Sequence, residues 1–133
     1  IKVASEGTTV RKYRPEIWDS FKYDSFSDGN RREMEAGAEQ INTRRVNALV
    51  RSKYSGIRRC LSRHGGMKGK KARVVVGFTI LLDGRPSDVH VPSSDVKSIS
   101  FKQCVIKLIR NIRFPKPKDQ SVVVVYPMVF SRS

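Results

Sequence analysis

The chain has 133 residues, the length of one ordinary domain; 38% are hydrophobic and 29% charged, enough for a packed core and unlike wholesale disorder or low complexity. The formal net charge is +15, from 27 Lys and Arg against 12 Asp and Glu. That points to a polyanionic partner (nucleic acid, an anionic membrane or polysaccharide, or an acidic protein), unless the charge serves solubility alone. No run of 18 apolar residues and no signal-peptide pattern is present, so neither a membrane-spanning helix nor a signal peptide is expected within these residues, and any such segment would lie outside them. It begins at Ile1 rather than Met and is expected to be a piece of a longer protein.

Residues 1–40 carry 7 basic and 8 acidic side chains, a net of −1. Residues 41–133 carry 20 basic ones and only four acids (Asp83, Asp88, Asp95 and Asp119), a net of +16. The first 40 residues show no sustained hydrophobic period, and Gly7, Pro15, Gly29 and Gly37 punctuate them. Yet Tyr13, Trp18, Phe21, Tyr23 and Phe26 are five of the eleven aromatics, more than a linker needs. The reading is an irregular arm or linker that lies on the domain or docks on a partner, with a flexible tail as the alternative.

From Ala38 to Arg63 the helical period is clear: Val46, Leu49, Val50, Tyr54, Ile57 and Leu61 recur at steps of three and four, and Cys60 falls on the same side. Gly65 and Gly66 end this helix. Residues 72–82 read as a strand, with Val74, Val76, Phe78, Ile80 and Leu82 on one face. Asp83-Gly84 is a hairpin turn signal, and the return strand covers about 87–92. A second helix is expected from Ser98 to Arg113, capped by Ser98 or Ser100 and stopped by Pro115 and Pro117. Its apolar stripe is Phe101, Cys104, Val105, Leu108, Ile109 and Ile112. Residues 121–130 form the last strand. The order α-β-β-α-β predicts an α+β fold, a two-layer sandwich in which a three-stranded antiparallel sheet carries two helices on one face.

Catalytic chemistry finds little footing. His64 follows a helix beside Gly65 and reads as a cap or exposed loop residue; His90 alternates outward on a strand. The four acids of the basic unit form no carboxylate pair. The loop from Gly65 to Lys71 is glycine-rich and basic, but it joins a helix to a strand, the reverse of a P-loop, and it reads as a solvated connector. No enzyme is expected, no cofactor, and no metal, since Cys60 and Cys104 lack a C-x-x-C or a nearby His pair. Each cysteine lies on the apolar stripe of its helix, and the two helices should pack side by side. They are two buried thiols or a disulfide, the second being favoured if the compartment is oxidising.

A helix ending in Ile57-Arg58-Arg59-Cys60, the strand Val74-Val75-Val76-Gly77-Phe78-Thr79-Ile80, Asp83-Gly84, a helical Cys104, Phe114-Pro115-Lys116-Pro117, and a closing Tyr126-Pro127-Met128-Val129-Phe130 together resemble the C-terminal domain of the TonB family. The resemblance covers about residues 41–131 and is nearest the AgmX/PglI-type branch of gliding-motility and envelope proteins with paired helix cysteines. It implies a TonB-like domain over 41–133: a non-enzymatic periplasmic module, tethered to the inner membrane by a segment outside this chain. Such a module couples an inner-membrane motor to an outer-membrane or periplasmic protein. The Tyr-Pro pair that precedes the first helix in TonB itself is absent here.

Three strands leave two open edges, and an open edge offers unpaired N–H and C=O groups to an added strand. The last strand is the expected docking edge, through Ser121, Val123, Val125, Pro127 and Val129. Arg44, Arg51, Arg58, Lys70 and Lys71 are the expected contacts to an anionic surface, such as an anionic envelope polymer. A basic nucleic-acid-binding module is the alternative. The sequence does not set the oligomeric state.

Overall fold

The computed structural model describes residues 1–13 and 40–132. Asn42 opens the first helix, α1 (Thr43–Arg51), its side-chain oxygen accepting a bond from the Arg45 N–H. The expected single helix is two. At Ser52 the hydroxyl donates back to the Leu49 carbonyl, and the Lys53 N–H bonds Val50. That short-range bonding ends α1, and α2 (Tyr54–Arg63) starts after Lys53. The third helix, α3 (Ile99–Arg110), begins at Ser98, whose hydroxyl accepts from the Phe101 N–H.

The sheet has five strands rather than three: β1 (Lys2–Ser5), β2 (Thr9–Lys12), β3 (Lys71–Ile80), β4 (Pro86–Ser94) and β5 (Val122–Ser131). All pairings are antiparallel. The order is β1-β5-β3-β4, with β2 continuing the line of β1 along the same side of β5. Residues 2–12, expected as part of an irregular arm, are thus an interrupted ribbon on the sheet. Four-residue strands on either side of Glu6-Gly7-Thr8 are too short to print an alternation. The rest of the arm, with Trp18, Phe21, Tyr23 and Phe26, lies outside the described residues.

Even-numbered residues of β3 and β5 face the helices. Val74, Val76, Phe78, Ile80, Val122, Val124, Tyr126, Met128 and Phe130 share one core with Val46, Val50, Ile57, Leu61, Phe101, Val105 and Ile109. The opposite face of these strands is buried too, at Val75, Thr79, Val123 and Val125. The β3–β4 hairpin turns through Gly84, at φ +86°, where an added Cβ would sit 2.3 Å from the Phe114 carbonyl oxygen. The Phe114 N–H donates to the Gly84 carbonyl, and the Phe114 ring stacks on Phe78 with centroids 5.2 Å apart. The Phe-Pro-Lys-Pro segment is thereby anchored against the hairpin.

Candidate interaction site

The expected docking strand is in place, but it is not an edge. β5 is paired along one side by β3 and along the other by β1 and β2. Its central position follows from its sequence. The Val122–Val125 run is apolar on both faces, as strands buried on both faces are.

The side of β5 that each residue's backbone faces can be read from two bonds. The Glu6 N–H donates to the Pro127 carbonyl, and the Tyr13 N–H donates to the Ser121 carbonyl. N–H and C=O of one residue point the same way in an antiparallel ladder, and the direction alternates. Ser121, Val123, Val125, Pro127 and Val129 therefore all turn their main-chain groups toward the ribbon. These are the residues expected to receive a partner strand, and the protein's own residues 2–13 occupy them. Pro127 has no N–H to offer and falls on this side, opposite Glu6 where β1 gives way to β2. A proline is tolerated there because no bond to β3 is lost.

The two halves of the ribbon are held differently. In β2, Thr9, Val10 and Arg11 are 2%, 3% and 5% exposed, and the neighbouring Thr8 hydroxyl donates to the Asn47 side chain of α1. In β1, Lys2, Ala4 and Ser5 are exposed and only Val3 touches the core. Beyond β1, Glu6 holds the chain by its N–H bond to the Pro127 carbonyl and by an ion pair to the Arg73 Nε at 2.7 Å, in which the Arg73 side chain is part-buried and that of Glu6 exposed.

The basic residues fall into two groups. Arg44 and Arg51 stand on α1 and Arg58 on α2, while Lys70 and Lys71 stand at the start of β3, where Lys71 is opposite Ser131 and Ser131 opposite Lys2. Across α1, α2 and α3 there are nine Arg or Lys and no Asp or Glu. The helical layer is a cationic face, a segregation that a whole-unit charge count had hidden.

Cys60 and Cys104 form a disulfide, with Cα atoms 5.8 Å apart, tying α2 to α3. At Gly56 a Cβ would lie 3.0 Å from Leu108, so the helices meet closely at this seam. The Tyr54 hydroxyl meets the Tyr126 hydroxyl at 2.5 Å in the interior, and burial together with that bond pushes the Tyr54 phenol well above its ordinary range. The Asp83 carboxyl is held below the usual carboxylate range by the Arg85 N–H and then its guanidinium, both of which donate to it.

Among the described residues no three of His, Cys, Asp and Glu gather as a metal site, and no helix is long and apolar enough to cross a membrane. His64 caps α2, and the His90 Nδ1 lies 2.7 Å from the Asp88 carbonyl oxygen. The hollow between the α2 C-terminus and α3 is lined by His64, Lys68, Asp95, Lys97 and Ser98, and Ser98 is committed to capping.

No family model matches the chain, and no curated protein matches it. Among solved structures it is similar to the solution structure of the Helicobacter pylori TonB C-terminal domain (residues 179–285). The identity is 24%, the match covers 62% of this chain and 82% of that one, and the TM-score is 0.40.

Proposed function

We propose that this chain is a non-enzymatic, periplasmic protein-interaction module of a TonB-like envelope protein. It couples an inner-membrane assembly to an outer-membrane partner, as in the gliding-motility branch, and holds that partner by strand addition along β5. The observation that carries the compartment is the Cys60–Cys104 bond, because disulfides persist in oxidising compartments and are rare where thiols are kept reduced. Strand addition is supported by a 10-residue strand whose second side is filled only by the chain's own broken ribbon. Main-chain pairing of that kind gives affinity, and alternate side chains give specificity.

The test is photo-crosslinking in cells from Lys71, beside the β1 end of the sheet, with Asp119 as the control position. Adducts with an envelope protein from Lys71 alone are expected. Equal patterns from both positions, or adducts confined to cytosolic proteins, overturn the reading.

The acid-free helical layer favours a second contact, salt-sensitive binding of an anionic envelope polymer through Arg44, Arg51 and Arg58. Phosphate-type contacts carry no sequence information. A marked preference for one nucleic-acid sequence at physiological salt would overturn this and restore the nucleic-acid alternative.

A further inference from the structure

We infer that β1 is a removable placeholder. It peels from Met128–Ser131 about Gly7 while β2 stays, and an extended acidic segment of a partner takes its position on β5. The inference rests on the strand-addition reading above and adds where the partner enters, what must leave, and what the partner must carry.

The ribbon is built to part at one point. β1 pairs Ser5 with Met128, and β2 resumes with Thr9 opposite Val125, so the ribbon carries one residue more than β5 across Glu6-Gly7-Thr8. Gly7 adopts φ +111° with open space around it, a backbone state that glycine enters freely. Pro127 stands opposite this junction without an N–H, so the ladder is already one bond poorer there. On the β2 side, burial of Thr9, Val10 and Arg11 and the Thr8–Asn47 bond hold the chain down. On the β1 side, beyond the ladder and the Glu6 N–H bond to Pro127, there is one half-buried valine and a partly exposed ion pair, worth about 1 kcal/mol or less. Segments with few buried contacts and exposed backbone bonds open first.

Peeling bares the carbonyls of Pro127, Val129 and Ser131 and the N–H groups of Val129 and Ser131. A partner strand restores those bonds. It also meets two side-chain positions now filled by β1 and its end. Val3, in register with Phe130, leaves an apolar place at the core margin. Glu6 leaves the carboxylate position beside Arg73. Lys2 leaves with β1, but Lys70, Lys71 and Arg132 remain exposed at that end of the sheet, with Asp95 the acid bonded to the Arg73 N–H nearby. The fitting segment is extended and acidic, with an apolar residue followed three positions later by Asp or Glu.

The probe is a synthetic eight-residue acidic peptide with Val and Glu at that spacing, measured against four forms of the full chain. These are the parent, a form lacking residues 1–6, which vacates the places of both Val3 and Glu6, Val3→Asp, which removes the apolar hold of β1 without shortening the chain, and Ala4→Cys/Val129→Cys. Ala4 and Val129 are direct partners in the ladder, and such pairs have Cα atoms about 5.5 Å apart, within disulfide reach. Apparent affinity falls with the fraction of molecules in the open state. The deletion and Val3→Asp should therefore tighten binding by about tenfold, and the oxidised lock should abolish it. Hydrogen exchange on the parent should show the Val129 and Ser131 amides opening without global unfolding, while Val123 and Val125 stay protected.

Equal protection at all four amides, or binding by the lock as strong as the parent's, overturns the peeling. Opening without any gain of peptide binding overturns the acidic partner. A dimer that forms only in forms retaining β1 assigns the vacated edge to a second copy and likewise overturns it. Positive results here alongside failed envelope crosslinking would instead sink the periplasmic module and leave the placeholder standing.

Discussion

Reducing the Cys60–Cys104 bond changes no side-chain volume and severs the one covalent tie between α2 and α3. The two cysteines are 44 positions apart in sequence, so the bond closes a loop of about 45 residues. On the chain-entropy model such a loop restrains the unfolded state by about 4 kcal/mol. A domain of this length unfolds with an entropy of roughly 0.2–0.3 kcal/mol/K near its midpoint. Reduction should therefore lower Tm by about 15–20 °C. Cys60 is fully buried and Cys104 partly exposed, so reductant has access from the α3 side. The assay is a helix-signal melt by circular dichroism with and without reductant, paired with urea titrations to check that the slope is unchanged. A loss below about 5 °C would refute the reasoning. It would mean that the reduced, denatured chain already holds the two helices together, so that the bond restrains nothing.

Three further perturbations follow from single contacts. Gly84→Ala forces a Cβ to within 2.3 Å of the Phe114 oxygen at a φ of +86°; it should cost about 2 kcal/mol or more, seen as a lower urea midpoint, with the Phe78–Phe114 stack disturbed. Tyr54→Phe or Tyr126→Phe leaves one buried hydroxyl without its partner and should cost about 1–3 kcal/mol, while the double substitution should recover part of that loss in a double-mutant cycle. Asp83 is more acidic folded than unfolded. Its contribution is therefore full above the unfolded value and is lost as pH falls through the lower folded one. Asp83→Asn should flatten the stability profile only below about pH 4, and a difference at pH 7 that tracks pH would contradict the assignment.

The elements with strong local chemistry were legible. Ser98 and the Pro115-Lys116-Pro117 stop bracket α3, Asp83-Gly84 turns the hairpin, and two cysteines on apolar stripes came together as a bond. The break at Ser52 was not legible, because the apolar spacing runs through it unbroken and the interruption lies in the bonds of Ser52 to Leu49 and Lys53 to Val50. The ribbon escaped because Lys2–Ser5 and Thr9–Lys12 each show at most two residues per face. Valines at four successive positions from 122 are the mark of an internal strand, whereas a strand with one solvated face alternates apolar and polar residues. The acid-free helices were readable in the same way, had charge been counted by element rather than by region.

Where the irregularities lie decides which edge can receive a partner. Among the described residues no strand pairs the outer side of β4, yet that side is poorly suited to pairing. Pro86 and Pro92 interrupt its donors. Two bulges, between the Val75–Ser93, Gly77–His90 and Thr79–Ser87 pairs, bend it, and Asp88 takes a φ of 53°. Natural edges are blunted by such features. The outer side of the ribbon is broken at Gly7 and carries Lys2 and Lys12. The unbroken ten-residue strand of the second side is β5, and it lies inside. A partner can reach it only by replacing the ribbon, in whole or in the half that is loosely held. Replacement re-forms main-chain bonds of the same kind, so the backbone contributes little to the difference between the two occupants. The balance then rests on what fills the places of Val3 and Glu6, which puts the selectivity of the whole sheet on two side-chain positions.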